Sequence, residues 1–242
     1  MLLSNGYVIN LNTRSDRWER MSKQLERFEL GHFERYPAIS AQSFDIKDLP
    51  ENFVKTISGK LKKDIEKDNV EYCVKAAWGC LQSHLGIISM ASEKGLLSVV
   101  VLEDDCEIEP HFKKIMQKLE VQLQDVAWDV IYLGGNLHRK SKVRKINKNI
   151  LKGHGITLTH GMIISHSVYR KILDEAPTSG VSIDDYYRKI LQPKINCLLV
   201  DPQIAYQFYT DISDISLSKK IFKLNFSNLK RMIYRKINRF LY

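Results

Sequence analysis

Glu103, Asp104 and Asp105 stand in a row in SVVVLEDDCEIEP, residues 98–110. Three adjacent carboxylates repel one another. Either they sit in solvent, as charged turns commonly do, or a cation belongs among them. In an extended backbone, alternate side chains point the same way, so Glu103 and Asp105 can face one point. Oxygen ligands of that kind suit Mg²⁺ or Mn²⁺, and such an ion in turn holds a diphosphate.

The acids follow an apolar run. Leu96–Leu102 reads as a strand of a sheet covered on both faces, and ligands gather beyond the carboxyl ends of such strands. The neighbouring segments supply the rest of the sheet. Gly6–Leu11 reads as a first buried strand rather than a signal peptide, because no basic segment or cleavage site accompanies it. From Thr13 to Leu30 the spacing of Trp18, Met21, Leu25 and Phe28 predicts a helix, with a cap from Thr13 and Asp16 or from Asp16 and Glu19, and a stop at Gly31. His32–Tyr36 is a second extended piece. Residues 42–72 are polar and lysine-rich, which predicts irregular structure with short helices.

Trp78, Leu81, Leu85, Ile88 and Ala91 mark a second amphipathic helix, ended by Gly95. Phe112, Ile115, Leu119 and Leu123 mark a third. Val126–Leu133 reads as a strand broken by Gly134 and Gly135, and residues 137–153 as a basic surface loop. Ile156–Ser165 reads as one strand, Ser167–Ala176 and Ile183–Leu191 as helices, and Cys197–Val200 as a strand. Strand and helix alternate, which predicts an α/β fold with a mostly parallel sheet flanked by helices.

Composition narrows the function. The 242 residues are 44% hydrophobic and 27% charged, enough for one large core. No apolar run approaches the roughly 18–20 residues of a membrane span. Cys73, Cys80, Cys106 and Cys197 form no C-x-x-C pair, which points to reduced thiols in a cytosolic protein. The net charge is +9, but residues 219–242 hold eight Lys or Arg and no acid. The remainder balances at 29 basic against 28 acidic residues, which argues against a nucleic-acid groove. The chain therefore divides into a body, 1–218, and a basic tail, 219–242. In the tail Phe222, Phe226, Leu229, Ile233, Ile237 and Phe240 repeat at helical spacing. A basic amphipathic helix of this kind suits an anionic membrane surface; the same apolar face can instead pack on the body or on a second subunit.

Five segments occur in order: YVINLNTRSDRWERM, WGCLQSHLGII, VVVLEDDCEIEPHF, WDVIYLGG and SIDDYY. Together they resemble glycosyltransferase family 25, which includes lipooligosaccharide galactosyltransferases and collagen galactosyltransferase domains. The likeness runs from about residue 6 to about 216, where PQIAYQFYTDISDIS is similar to the family's closing segment. The resemblance implies a GT-A-like fold and transfer of a hexose, galactose before glucose, from a UDP-sugar to a lipopolysaccharide-type acceptor, with inversion. Hydroxylysine of collagen is the alternative acceptor. It also implies Mn²⁺ or Mg²⁺ held at Glu103 and Asp105, with Asp104 at the same metal or on donor ribose or sugar.

By the same resemblance Asn10, Arg14 and Arg17 match donor-binding positions, and Gly79, Cys80, Ser83 and His84 match a G-C-x-x-S-H motif. Ser83 and His84 are expected near the donor; His84 serves equally as a structural histidine. Asp184 or Asp185 is the expected base or acceptor binder, or else a helix cap. Gly161-Met162 departs from the family's small residue followed by an aromatic, which bears on the acceptor wall. The expected location is the cytoplasmic face of the membrane. A metal-dependent nucleotidyltransferase and a non-catalytic sugar-binding module are the rival classes. VINLNTRSDR lacks the glycine-rich phosphate loop of the first.

Overall fold

The computed structural model describes residues 2–61 and 67–208. In chain order, β1 (Gly6–Asn10) leads through α1 (Ser15–Arg27) to β2 (Glu34–Pro37). Two short 3₁₀ turns precede α2 (Glu51–Ser58), and α3 (Lys67–Glu93) delivers the chain to β3 (Ser98–Glu103) and β4 (Cys106–Ile108). Next come α4 (Phe112–Gln122), β5 (Val130–Tyr132), the hairpin of β6 (Asn136–Asn147) and β7 (Ile150–Thr157), and β8 (Gly161–Ser165). The described chain closes with α5 (Tyr169–Glu175), α6 (Ile183–Tyr186) running into a π turn, β9 (Cys197–Val200) and β10 (Ala205–Gln207).

Eight strands form one sheet in the order β2-β1-β3-β8-β5-β9-β7-β6. Only β8 and β7 run against the others, so six strands share one direction. This is the α/β layering expected, a mostly parallel sheet with helices on both faces. The apolar runs divide by alternation. Tyr7 and Ile9 of β1, Val99 and Val101 of β3, and Met162 and Ile164 of β8 meet α3 in one core. Val8, Val100, Leu102 and Ile163 meet α1 and α4 in the other. Burial on both faces is why these strands carry no polar alternation.

Several local expectations are corrected. Helix α1 begins after Arg14 with no side-chain cap, so neither Thr13 nor Asp16 caps it. It stops at Phe28, before Gly31, and Glu29 takes the left-handed turn at φ 59°. Helix α3 starts at Lys67, well before the apolar spacing becomes clear. Residues 137–153 form most of the β6–β7 hairpin, not a loop. The strand was hidden because β6 lies at the sheet edge with most side chains in water, where lysines are common. Gly153 permits the pairing: a Cβ there would lie 1.9 Å from the Lys142 carbonyl oxygen. The stretch 156–165 splits at Leu158, whose φ of 76° turns the chain from β7 into β8. A small second sheet, β4 against β10, was not foreseen. The basic helix expected in 219–242, and the last part of the family-like closing segment, lie outside the described residues.

Candidate active site

Register brings the site together. Ile9 of β1 pairs with Glu103 of β3, and Leu102 pairs with Gly161 of β8. Asn10, Glu103 and the His160 backbone therefore emerge at one edge, the carboxyl end of β1 and β3. A separate groove lined by Asn5, Leu97, Ser98 and Trp128 opens at the opposite end and contains none of the acids of the 103–105 or 184–185 runs.

Asp104 is the structural member of the triplet. Asn10 Nδ2 donates to Oδ2 at 2.6 Å and Arg17 Nη1 to Oδ1 at 2.8 Å. All three side chains are buried. Burial pushes the Asp104 carboxyl above its ordinary value, against the pull of Arg17 and Asn10. Asn10 and Arg17 are thus brought to the acid cluster, and Asn10 Oδ1 keeps no hydrogen-bond partner among the described residues. The Arg14 guanidinium forks onto exposed Asp16, with both contacts at 2.9 Å.

Glu103 and Asp105 differ from Asp104. Glu103 Oε1 accepts from Thr159 Oγ1 at 2.5 Å and lies 3.3 Å from His84 Nε2. Burial raises its pKa, but His84, Thr159 and His160 outweigh burial and hold the carboxyl below the usual range. Asp105 has the amide of Gln207 at 2.7 Å on Oδ2, while Oδ1 is buried with no partner among the described residues. Burial, then repulsion from Glu103, pushes its pKa up to about 7. An orphaned carboxylate oxygen beside a second carboxylate fits a divalent cation, because the cation would remove both penalties. Cys80, His84 and Glu103 also place their ligating atoms within 4.8 Å of one another. Burial, with Glu103, Asp184 and Asp105 facing it, pushes the Cys80 thiol well up.

Ser83 has a local task. Its hydroxyl donates to the Gly79 carbonyl at 2.7 Å and accepts from Ile39 N at 2.9 Å, which pins α3 to the segment after β2. A Cβ at Gly79 would lie 2.3 Å from the Ile39 carbonyl oxygen, so glycine is what permits that approach.

The second acid pair separates sharply. Asp184 Oδ1 accepts from Leu158 N at 2.7 Å, and burial raises its pKa, with Asp185 and Glu103 adding repulsion. Asp184 is thus near enough to Glu103 to feel its charge. Asp185 is bonded by Lys60, by Arg188 and by Lys189 at 3.1 Å. Burial opposes these cations but they win, and its pKa falls to about 2.

Thr159, His160 and Gln207 join the site without having been singled out in the sequence. Thr159 and His160 sit where the chain turns into β8, and Gln207 ends β10. The only signal was their nearness to Gly161 and to the closing segment; neither has a motif spacing.

The model of the family described as Glycosyltransferase family 25 (LPS biosynthesis protein) matches residues 3–187. Among curated proteins, procollagen galactosyltransferase 1 of Danio rerio is 28% identical over 78% of this chain and 31% of its own length. Procollagen galactosyltransferase 1-B of Xenopus laevis is 27% identical over 80% of this chain and 32% of its own. The chain thus spans about a third of the length of these relatives. Among solved structures, a glycosyltransferase involved in glycosylation of the major capsid of PBCV-1 aligns with TM-score 0.44 at 12% identity, covering 82% of this chain and 81% of that one. Apo UDP-glucose pyrophosphorylase aligns with TM-score 0.41 at 12% identity, covering 94% and 99%.

Proposed function

Since the chain belongs to glycosyltransferase family 25, we propose that it transfers a hexose from a UDP-sugar to a glycan acceptor, with Glu103 and Asp105 holding a divalent cation. One observation carries the reading. Asp105 lies beside Glu103 with a buried oxygen that has no partner among the described residues, and a pKa pushed up by burial and repulsion to about 7. A carboxylate pair arranged so at the carboxyl edge of a sheet has the chemistry of a diphosphate-metal site. When bound, Mn²⁺ or Mg²⁺ supplies charge stabilisation to the departing diphosphate.

The chain's own groups do the rest. Arg17 and Asn10 are fixed by Asp104 beside the cluster, where they suit donor contacts. Asp184 is the base in this reading. Leu158 N orients its carboxylate, and burial raises its proton affinity toward that of a working base. Asp185, claimed by three cations, holds the element instead. Inversion follows if Asp184 takes the acceptor proton as the acceptor attacks opposite the departing UDP.

Galactose is the favoured sugar and glucose the next, a choice supported by the two relatives named procollagen galactosyltransferases. A lipid-linked, lipopolysaccharide-type acceptor is supported by the family's description, and a collagen-type hydroxylysine acceptor by the relatives' names. No helix among the described residues is long and apolar enough to cross a membrane. The tail, 219–242, is proposed to rest on an anionic membrane on its cytoplasmic face. Removing it after Ser218 should release the protein from anionic liposomes with soluble-acceptor activity retained; equal binding of the shortened form rejects the tail's role.

UDP release from UDP-galactose and UDP-glucose, with and without Mn²⁺, tests the main reading. Mn²⁺-dependent release that grows on adding acceptor is expected. Neither sugar nucleotide being consumed in the presence of either acceptor would reject it.

A further inference from the structure

Cys80 and His84 lie one turn apart on α3, and their sulfur and nitrogen converge with Glu103. We propose that these three side chains form a site for a soft divalent cation of the zinc type, distinct from the all-oxygen pair of Glu103 and Asp105 proposed above. A tetrahedral cation bonded at roughly 2.0–2.1 Å to nitrogen and oxygen sets those two atoms about 3.3 Å apart. His84 Nε2 and Glu103 Oε1 already lie 3.3 Å apart. The Cys80 sulfur is within 4.8 Å of both, close enough for a side-chain rotation to complete the set.

The donor chemistry decides which ion enters. Thiolate with imidazole selects Zn²⁺ or Cd²⁺, whereas Mg²⁺ and Mn²⁺ prefer oxygen alone. His84 is wholly buried, and its Nδ1 has no partner among the described residues. Zinc-bound imidazoles usually donate that second nitrogen to a carbonyl or carboxylate, which strengthens the site. Lacking that support, the cluster binds reversibly and is not a structural zinc centre. Three protein ligands also leave a fourth position open. Glu103 belongs to both sites, so a soft cation here withdraws it from Asp105 and acts as an inhibitor. That consequence rests on the proposed transferase reading; the binding does not.

Titration of the full chain with Cd²⁺ alone, followed by the ultraviolet thiolate-to-cadmium band, tests the site. One equivalent should saturate the band. Cys80→Ser should remove it, and Cys73→Ser, Cys106→Ser and Asp105→Asn should each retain it. Circular dichroism checks that every variant folds. Absence of the band in the wild type, or its survival in folded Cys80→Ser, overturns the site. Saturating Zn²⁺ should also lower Mn²⁺-dependent UDP release at least tenfold in the wild type and less than twofold in Cys80→Ser. Equal sensitivity of the two overturns the shared use of Glu103. If no UDP is released from any donor, the transferase reading fails, while the cadmium band still judges the site.

Discussion

Around Asp185, Lys60, Arg188 and Lys189 close on one carboxylate. Around Asp105 the described residues offer the Gln207 amide and the Glu103 carboxylate, and no cation pairs with it. Both are members of adjacent-acid runs that look alike in the sequence. The first brings its own positive charge and is driven down to about 2. The second is driven up to about 7. Acids that carry their own cations hold structure together; in the proposed reading, acids that lack them are arranged for a cation that arrives. The triplet repeats the contrast internally, since Arg17 is bonded to Asp104 and acts on Asp105 only from a distance, with no cation in contact with Asp105 among the described residues.

The largest effect is expected at Asp105→Asn, which should lower Mn²⁺-dependent UDP release by about 10²–10³-fold, the order of losing one electrostatic element of a site. Its thermal midpoint should stay level or rise, because the substitution removes a repulsion. A folded variant with near-normal turnover would place the metal elsewhere. Next, Asp184→Asn should lower kcat by about 10²-fold while leaving the donor KM within about twofold, as loss of a base does. A rise in donor KM with kcat preserved would make Asp184 a binding group. Asp185→Asn reverses the pattern. Denaturant unfolding should show a loss of about 2 kcal/mol, less than for a fully buried network because Lys60 and Lys189 are partly exposed. Turnover at saturating donor should change little.

The two runs also predict opposite pH responses. Asp105 holds its proton more tightly folded than unfolded, so in metal-free protein its contribution to stability is present at acid pH. It is lost as pH rises from about 4 through about 7. Asp185 holds its proton less tightly, so its contribution is present above the ordinary carboxylate range and is lost as pH falls through about 2. Thermal midpoints of the metal-free chain should therefore decline across the first interval, and Asp105→Asn should flatten that decline. An unchanged slope would remove Asp105 from the account. The smallest effect is at Ser83→Ala. Loss of its two hydrogen bonds should cost about 1 kcal/mol and leave turnover within about twofold. A larger fall in turnover would favour the donor-binding role for Ser83.

Much of the fold was legible because burial on both faces leaves a plain mark. GYVIN, SVVVL and GMIIS are apolar at every position or nearly so, and all three lie inside the sheet. Helix α1 was legible from the spacing of Met21 and Leu25. Strand β6 was not, because an edge strand with exposed lysines and arginines carries no hydrophobic period. Glu29 in a left-handed turn gives no signal either, since its neighbour Gly31 was the better candidate by residue type. At the site, the acids and the G-C-x-x-S-H motif were visible by chemistry and resemblance. Their partition was not. Arg14 and Arg17 look alike in the sequence, but the half-buried Arg14 forks onto exposed Asp16 and Arg17 is buried on Asp104. Asp184 and Asp185 are neighbours, and only the fold brings Lys60 from a distant segment to one of them. Thr159, His160 and Gln207 arrive by strand pairing from segments with no spacing to read.

Mn²⁺ binding at neutral pH in the presence of UDP, measured by titration calorimetry on the wild type and on Asp105→Asn, addresses the central claim most directly. The account predicts one Mn²⁺ per chain in the wild type and at least tenfold weaker binding in the folded variant. Equal affinity in the two would contradict it.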